Sequence, residues 1–127
     1  MKAERAGDRT WMLVSDSGQC QPLKYLKKNR ETAPHMLARI ADVDRNGPPP
    51  NQELFRWLDA HKHGGYRACE YKVHHPRACR GYAFFTGRGF VIVRIEDKTE
   101  NDQQFNEAMR SVKATFDQFL KEGEWYG

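Results

Sequence analysis

The stretch Arg80-Gly-Tyr-Ala-Phe-Phe-Thr-Gly-Arg-Gly-Phe-Val-Ile-Val-Arg-Ile-Glu96 decides the fold. Two apolar runs flank Thr86-Gly-Arg-Gly89, which predicts a β-hairpin with strands over about 80–86 and 89–96. Both glycines of that turn are expected to supply positive φ. Phe90-Val-Ile-Val93 is the strongest strand signal in the chain. Upstream, residues 67–74 alternate. Cys69, Tyr71 and Val73 share one face of a strand, and Ala68, Glu70, Lys72 and His74 the other. Downstream the period changes: Phe105, Ala108, Met109, Val112, Phe116, Phe119 and Leu120 recur at helical spacing. Asn101 with Gln104 resembles a capping box, and Gly123 ends the helix. Its apolar stripe is expected to pack on the sheet.

Toward the N-terminus, residues 10–15 read as a strand closed by Asp16-Ser-Gly18. Pro22 suits the first turn of a helix carrying Leu23, Tyr25 and Leu26. A second helix starts at Ala33 or Pro34, with Met36, Leu37, Ile40 and Val43 on one side. Gly47 and Pro48-Pro-Pro50 end it. Asn51 is expected to cap a short helix through Leu54, Phe55, Trp57 and Leu58. The resulting order, β-α-α-(short α)-β-β-β-α, predicts an α+β domain with a small antiparallel twisted sheet. Two N-terminal helices and a C-terminal helix pack on it. At 127 residues the chain suits one domain over 1–127, with residues 1–9 expected to be disordered.

Charge is unevenly spread. Residues 61–98 contain eight lysines and arginines against three carboxylates, a formal +5, although the whole chain carries +4. His61, His63, His74 and His75 lie in the same segment. Such concentration points to a polyanionic partner. Three cysteines, Cys20, Cys69 and Cys79, make no even disulfide framework and are expected to be reduced thiols. Met-Lys-Ala-Glu-Arg5 begins no apolar leader, and no run is long enough for a membrane span. A cytoplasmic protein without membrane contact is expected.

Element order and several stretches together resemble the RelE/ParE superfamily of toxins, in its HigB-like, phage-derived branch. Gly18-Gln-Cys-Gln-Pro-Leu-Lys-Tyr-Leu26 is similar to the start of that family's first helix. Glu70-Tyr-Lys-Val73, Arg80-Gly-Tyr-Ala-Phe-Phe85 and Val91-Ile-Val-Arg-Ile-Glu-Asp-Lys-Thr99 resemble its strands, and Phe105-Asn-Glu-Ala108 its final helix. The resemblance implies a RelE-like fold and a metal-independent endoribonuclease, an mRNA interferase that cleaves mRNA on the ribosome. Attack by the 2′-oxygen on the adjacent phosphate would leave a cyclic or 3′-phosphate and a 5′-hydroxyl. It also implies a cognate antitoxin of helix-turn-helix type, and no cofactor or metal. Asp97 and Phe105 depart from the pattern, standing where relatives carry a basic residue and a tyrosine.

That reaction needs cations at the phosphate, a base for the 2′-OH and an acid for the leaving oxygen. Lys72, His74, Arg80 and Lys98 are the expected catalytic residues. Lys72 and His74 share parity on one strand, and Arg80 and Lys98 stand on family positions. Arg80 presents a rigid fork to phosphate oxygens, whereas the lysines act as point charges. Histidine exchanges a proton near neutrality. Arg77, His75, Arg88 and Arg94 are expected RNA contacts, while Tyr82 and Phe84 suit either stacking on bases or, as strand aromatics more often do, a place in the core. Two alternatives stay open: a non-catalytic RelE-fold binder or ParE-like gyrase inhibitor, and a metal site among His61, His63, Cys69, His74, His75 and Cys79. The second lacks a Cys-x-x-Cys or spaced His pair.

Overall fold

A computed structural model of the protein describes residues 1–126. The strands are β1 (Lys2–Arg5), β2 (Thr10–Val14), β3 (Phe55–Trp57), β4 (Arg67–Val73), β5 (Cys79–Phe85), β6 (Phe90–Asp97) and β7 (Glu124–Tyr126). The helices are α1 (Gln21–Lys28), α2 (Ala33–Asn46) and α3 (Asp102–Glu122), with a 3-10 turn over Asp59–His61. All seven strands form one sheet in the order β3-β4-β5-β6-β2-β1-β7. Neighbours are antiparallel except β2 with β6 and β1 with β7, which run parallel.

The small antiparallel, RelE-like sheet expected from the sequence is therefore corrected to a larger mixed sheet. Parallel pairing arises because the chain leaves β2 through α1 and α2 and re-enters at the far edge, β3. It then fills inward by hairpins until β6 meets β2. Residues 1–9, expected to be disordered, contribute β1, whose Lys2–Arg5 pair with Val14–Trp11. The expected short helix after Asn51 is also corrected. Its apolar residues are instead used in strand fashion, Phe55 opposite Tyr71 and Trp57 opposite Cys69.

Helices cover both faces. Met12, Leu26, Met36, Ile40, Tyr71, Ile92 and Ile95 fill the layer between the sheet and α1–α2. Leu13, Phe84, Val91, Met109, Val112 and Phe116 fill the layer under α3. Phe84 and Phe116 stack at 4.1 Å. Helix α3 is capped as its sequence predicts, with the Asn101 side chain accepting the Gln104 amide at 2.9 Å. At the β5–β6 turn only Gly89 has positive φ, +143°, so Gly87 has no such role. A Cβ on Gly89 would lie 2.2 Å from the Arg9 carbonyl oxygen, which accepts the Phe90 amide. No helix among the described residues is long and apolar enough to cross a membrane.

Candidate functional site

The expected side-chain alternation holds within β4, where Cys69, Tyr71 and Val73 join the α1–α2 core and Ala68 the α3 core, but His74, expected on the Lys72 face, lies past the strand and lines a cleft with His35 and Arg39 of α2. Register then assembles a charged cluster on the α3 face. Lys72 lies opposite Arg80, and Arg80 opposite Glu96. One row further along, Arg56 lies opposite Glu70, Glu70 opposite Tyr82, and Tyr82 opposite Arg94. A β-bulge in β6 makes this possible. Tyr82 pairs with Arg94 but Ala83 with Ile92, so Val93 is the extra residue. Val93 thus reaches the α3 core while Arg94 and Glu96 stay on the same face as Lys72 and Arg80.

Buried charges need partners, and the cluster supplies them unequally. Glu70 is 2% exposed. It pairs with Arg56 at 2.8 Å and stands 3.9 Å from the Lys72 ammonium. Burial lowers the Lys72 pKa. The neighbouring Glu70 charge opposes that shift, while Arg56 and Arg80 add to it. Arg94 donates to Glu96 at 2.5 Å.

Arg80, 6% exposed, is held differently. One of its terminal nitrogens donates to the carbonyls of Val73 (3.3 Å) and Cys79 (3.0 Å). No described carboxylate forms an ion pair with it, although Glu96 is its cross-strand neighbour. A guanidinium fixed by backbone and lacking an anion is prepared to receive one. The Tyr82 hydroxyl is buried without a hydrogen-bond partner. Burial first, then the charges of Glu70 and Glu96, raise its pKa, so it stays neutral.

The remaining expected residues scatter around this cluster. His74 lies just past the end of β4, its Nε2 2.6 Å from the Glu53 carbonyl oxygen. With His75 it lines a cleft against His35 and Arg39 of α2. Arg77 is exposed on the β4–β5 turn and pairs with Asp97 at 3.0 Å. Asp97 also accepts the Tyr25 hydroxyl at 2.7 Å. The acid that departs from the family pattern is thus occupied on the α1 side. Lys98 is exposed at the same end of the sheet, its amide bonded to the Ala78 carbonyl at 3.0 Å. Arg88 sits at the opposite end, on the β5–β6 turn, and its guanidinium covers Trp125 at 4.7 Å. The length of β5, about 20 Å at 3.3 Å per residue, separates it from Arg80. Phe105 packs beside Tyr82 and His61 at centroid distances of 6.3 and 5.3 Å.

Lys72, Arg80 and Arg94 therefore come together, with His74, Arg77 and Lys98 around the same end of the sheet. Arg88 does not join them. Sequence reading missed Arg56, Glu70 and Glu96. Only the period-two pattern of β4 marked Glu70, as a carboxylate sharing a face with Lys72. Among the described residues no three His, Cys, Asp or Glu side chains converge to hold a metal ion.

No family model matches the chain, and no curated protein or solved structure is significantly similar to it. The site must be read from its own chemistry.

Proposed function

We propose that this protein acts on RNA as a metal-independent endoribonuclease of the toxin type, gripping the reacting phosphate with Arg80 and Lys72. The observation that carries the reading is the Lys72–Arg80 cross-strand pair. It joins a guanidinium held by two carbonyls to a lysine whose pKa is lowered by burial. The first offers a fixed anion fork, and the second a neutral-amine fraction above that of an ordinary lysine.

In this reaction the Lys72 amine takes the proton of the 2′-OH. The 2′-oxygen attacks phosphorus, the bond from phosphorus to the 5′-oxygen breaks, and a 2′,3′-cyclic phosphate forms. His74, two residues along the chain, returns a proton to the leaving 5′-oxygen. Arg80 and Lys98 offset the charge that grows on the phosphoryl oxygens. The sequence resemblance to RelE/ParE toxins supports the reaction class, with messenger RNA as substrate, the ribosome as its setting and a helix-turn-helix antitoxin as partner in the cytoplasm. The sheet order lends it no support.

A second reading, an RNA-binding protein without cleavage, is favoured by Glu70 and Glu96 within the cation cluster and by Phe105 in place of a proton-transferring residue. Induced expression tests both. Arrest of growth with cut mRNA, relieved by Arg80→Ala or Lys98→Ala in folded protein, supports cleavage. Intact RNA in the presence of ribosomes and bound protein supports the second reading. Arrest with DNA-damage signalling would instead indicate a gyrase inhibitor.

A further inference from the structure

A second basic cleft lies on the other side of the sheet's end, outside the charged cluster. It has a volume of about 510 Å³ and is lined by Lys27, Lys28, Arg30 and Arg77, with Glu31 its one acid. Three separate segments supply these cations: the last turn of α1, the α1–α2 connection and the β4–β5 turn. Lys27, Lys28 and Arg30 are exposed, and only Arg77 among the four forms an ion pair within the described residues.

Lysines in a last helical turn ordinarily answer the exposed carbonyls there. In α1 two of those carbonyls are taken by Asn29, and neither lysine side chain bonds one. The Asn29 backbone amide bonds to Tyr25 and Leu26, and its side chain donates to the Tyr25 carbonyl at 2.9 Å. The lysines are left to the cleft. Like charges converging in a concavity focus a positive potential and favour a polyanion.

We propose that this cleft binds the sugar-phosphate backbone of the RNA strand beyond the reacting phosphate, as a second phosphate subsite. The inference rests on the RNA reading above. From Arg77, beside Lys98 at the strand ends, the cationic path continues to Arg80 three residues along, a span of about 10 Å. A strand leaving the Lys72–Arg80 cluster would pass around the end of the sheet into the cleft. The lining favours nucleic acid over an acidic protein. It has no aromatic or large aliphatic side chain to act as the apolar anchor that protein partners use.

The test is fluorescence anisotropy with a 2′-O-methyl oligouridylate, which binds but has no free 2′-OH to attack, over a salt series. Removing three phosphate contacts should lower the slope of log K against log[salt] by about 2 and weaken binding tens of fold near physiological salt. The combined variant Lys27→Ala, Lys28→Ala, Arg30→Ala is expected to do this with unchanged thermal unfolding. Lys28→Ala alone should show about a third of the slope change. Lys24→Ala, on the same helix outside the cleft, should leave both quantities close to wild type. An unchanged slope in the combined variant, with Arg80→Ala still weakening binding, overturns the subsite and leaves the RNA reading standing. Absence of RNA binding by the wild type overturns both. Displacement of RNA by polyglutamate at equal charge concentration also overturns the proposal, by showing a site for acidic protein.

Discussion

Replacing Glu70 by Gln should make the protein less stable and bind RNA more tightly. The carboxylate is almost wholly buried, 2.8 Å from Arg56 and 3.9 Å from Lys72. At 4 Å two unit charges interact by about 4 kcal/mol for an effective dielectric constant near 20. Desolvation of the carboxylate offsets much of that, and the half-exposed Arg56 recovers water when its partner is lost. A net loss of about 2 kcal/mol remains, below the cost of breaking a fully buried pair. For a chain of 127 residues this lowers Tm by roughly 8 °C. Calorimetry and urea unfolding read it, with the m-value unchanged.

The same substitution removes the main competitor for an incoming phosphate. Glu70 raises the Lys72 pKa in opposition to burial, so its loss lowers that pKa further and leaves Arg56 without its ion-pair partner. Affinity for a 2′-O-methyl RNA should rise by about tenfold, equivalent to 1.4 kcal/mol. Glutamine keeps the shape and can still accept from Arg56, so packing does not confound the comparison. Weaker RNA binding by correctly folded Glu70→Gln, or an unchanged Tm, would refute the argument that Glu70 is a buried internal counterion.

Lys72 gives a pH test. Its lowered pKa means that the neutral amine accumulates below the ordinary lysine range, so cleavage should climb with pH and level off before about 10.5. Lys72→Arg, measured by single-turnover kinetics, should remove that limb along with most of the rate. Stability has the same sign: the fold disfavours the protonated amine, so stability rises with pH between the lowered and the ordinary pKa. Asp44 offers the opposite case. Burial raises its pKa, but bonds from the Thr10 hydroxyl and the amides of Arg9 and Asp8 outweigh it and lower the pKa overall. Its contribution is therefore present above the ordinary carboxylate pKa and is lost as pH falls through the lowered one. Asp44→Asn should cost about 2 kcal/mol near pH 7 in urea unfolding, with the gap to wild type closing in acid. Gly89→Ala should destabilise by several kcal/mol or prevent folding, because its Cβ would meet the Arg9 carbonyl at 2.2 Å. Yield and thermal unfolding check it.

The helices and the three long strands were legible because their signals are local. Gly47 ends α2 with φ +81°, Asn101 caps α3, and the alternation of β4 sorts its side chains correctly. The sheet order was not legible. Nothing in Thr10–Val14 says that it will lie parallel to Phe90–Ile92, because that pairing depends on where α1 and α2 return the chain. β1 and β7 are only four and three residues long, too short to show a period, and their place is set by pairing with each other and with β2. Phe55 and Trp57 were misread because a short apolar run suits a helix or a strand, and only Tyr71 and Cys69 opposite them decide. At the candidate site, Lys72 and Arg80 were named from sequence and share one cross-strand pair. Arg94 was named only as an RNA contact, and the side it faces depends on the bulge at Val93, which the strand pattern of Phe90–Ile95 conceals.

In the proposed function, the choice between cutting RNA and only holding it turns on Lys72 more than on the histidines. His75 is exposed beside α2, and a His74 ring nitrogen is already engaged with the Glu53 carbonyl. Neither shares a strand pairing with Arg80. The Tyr82 hydroxyl faces the correct side but is held neutral and buried. Of the two residues paired with Arg80 across the sheet, Lys72 and Glu96, it is Lys72 that has a lowered pKa together with partial access to solvent. A phosphate gripped by Arg80 therefore has its natural base directly across the β4–β5 ladder. Glu70 limits that base by favouring its protonated form. Under the proposed cleavage, the carboxylate that stabilises the resting cluster would also be the brake on its chemistry. Glu70→Gln should separate the two readings: a cutting enzyme gains rate together with affinity, whereas a pure binder gains affinity alone.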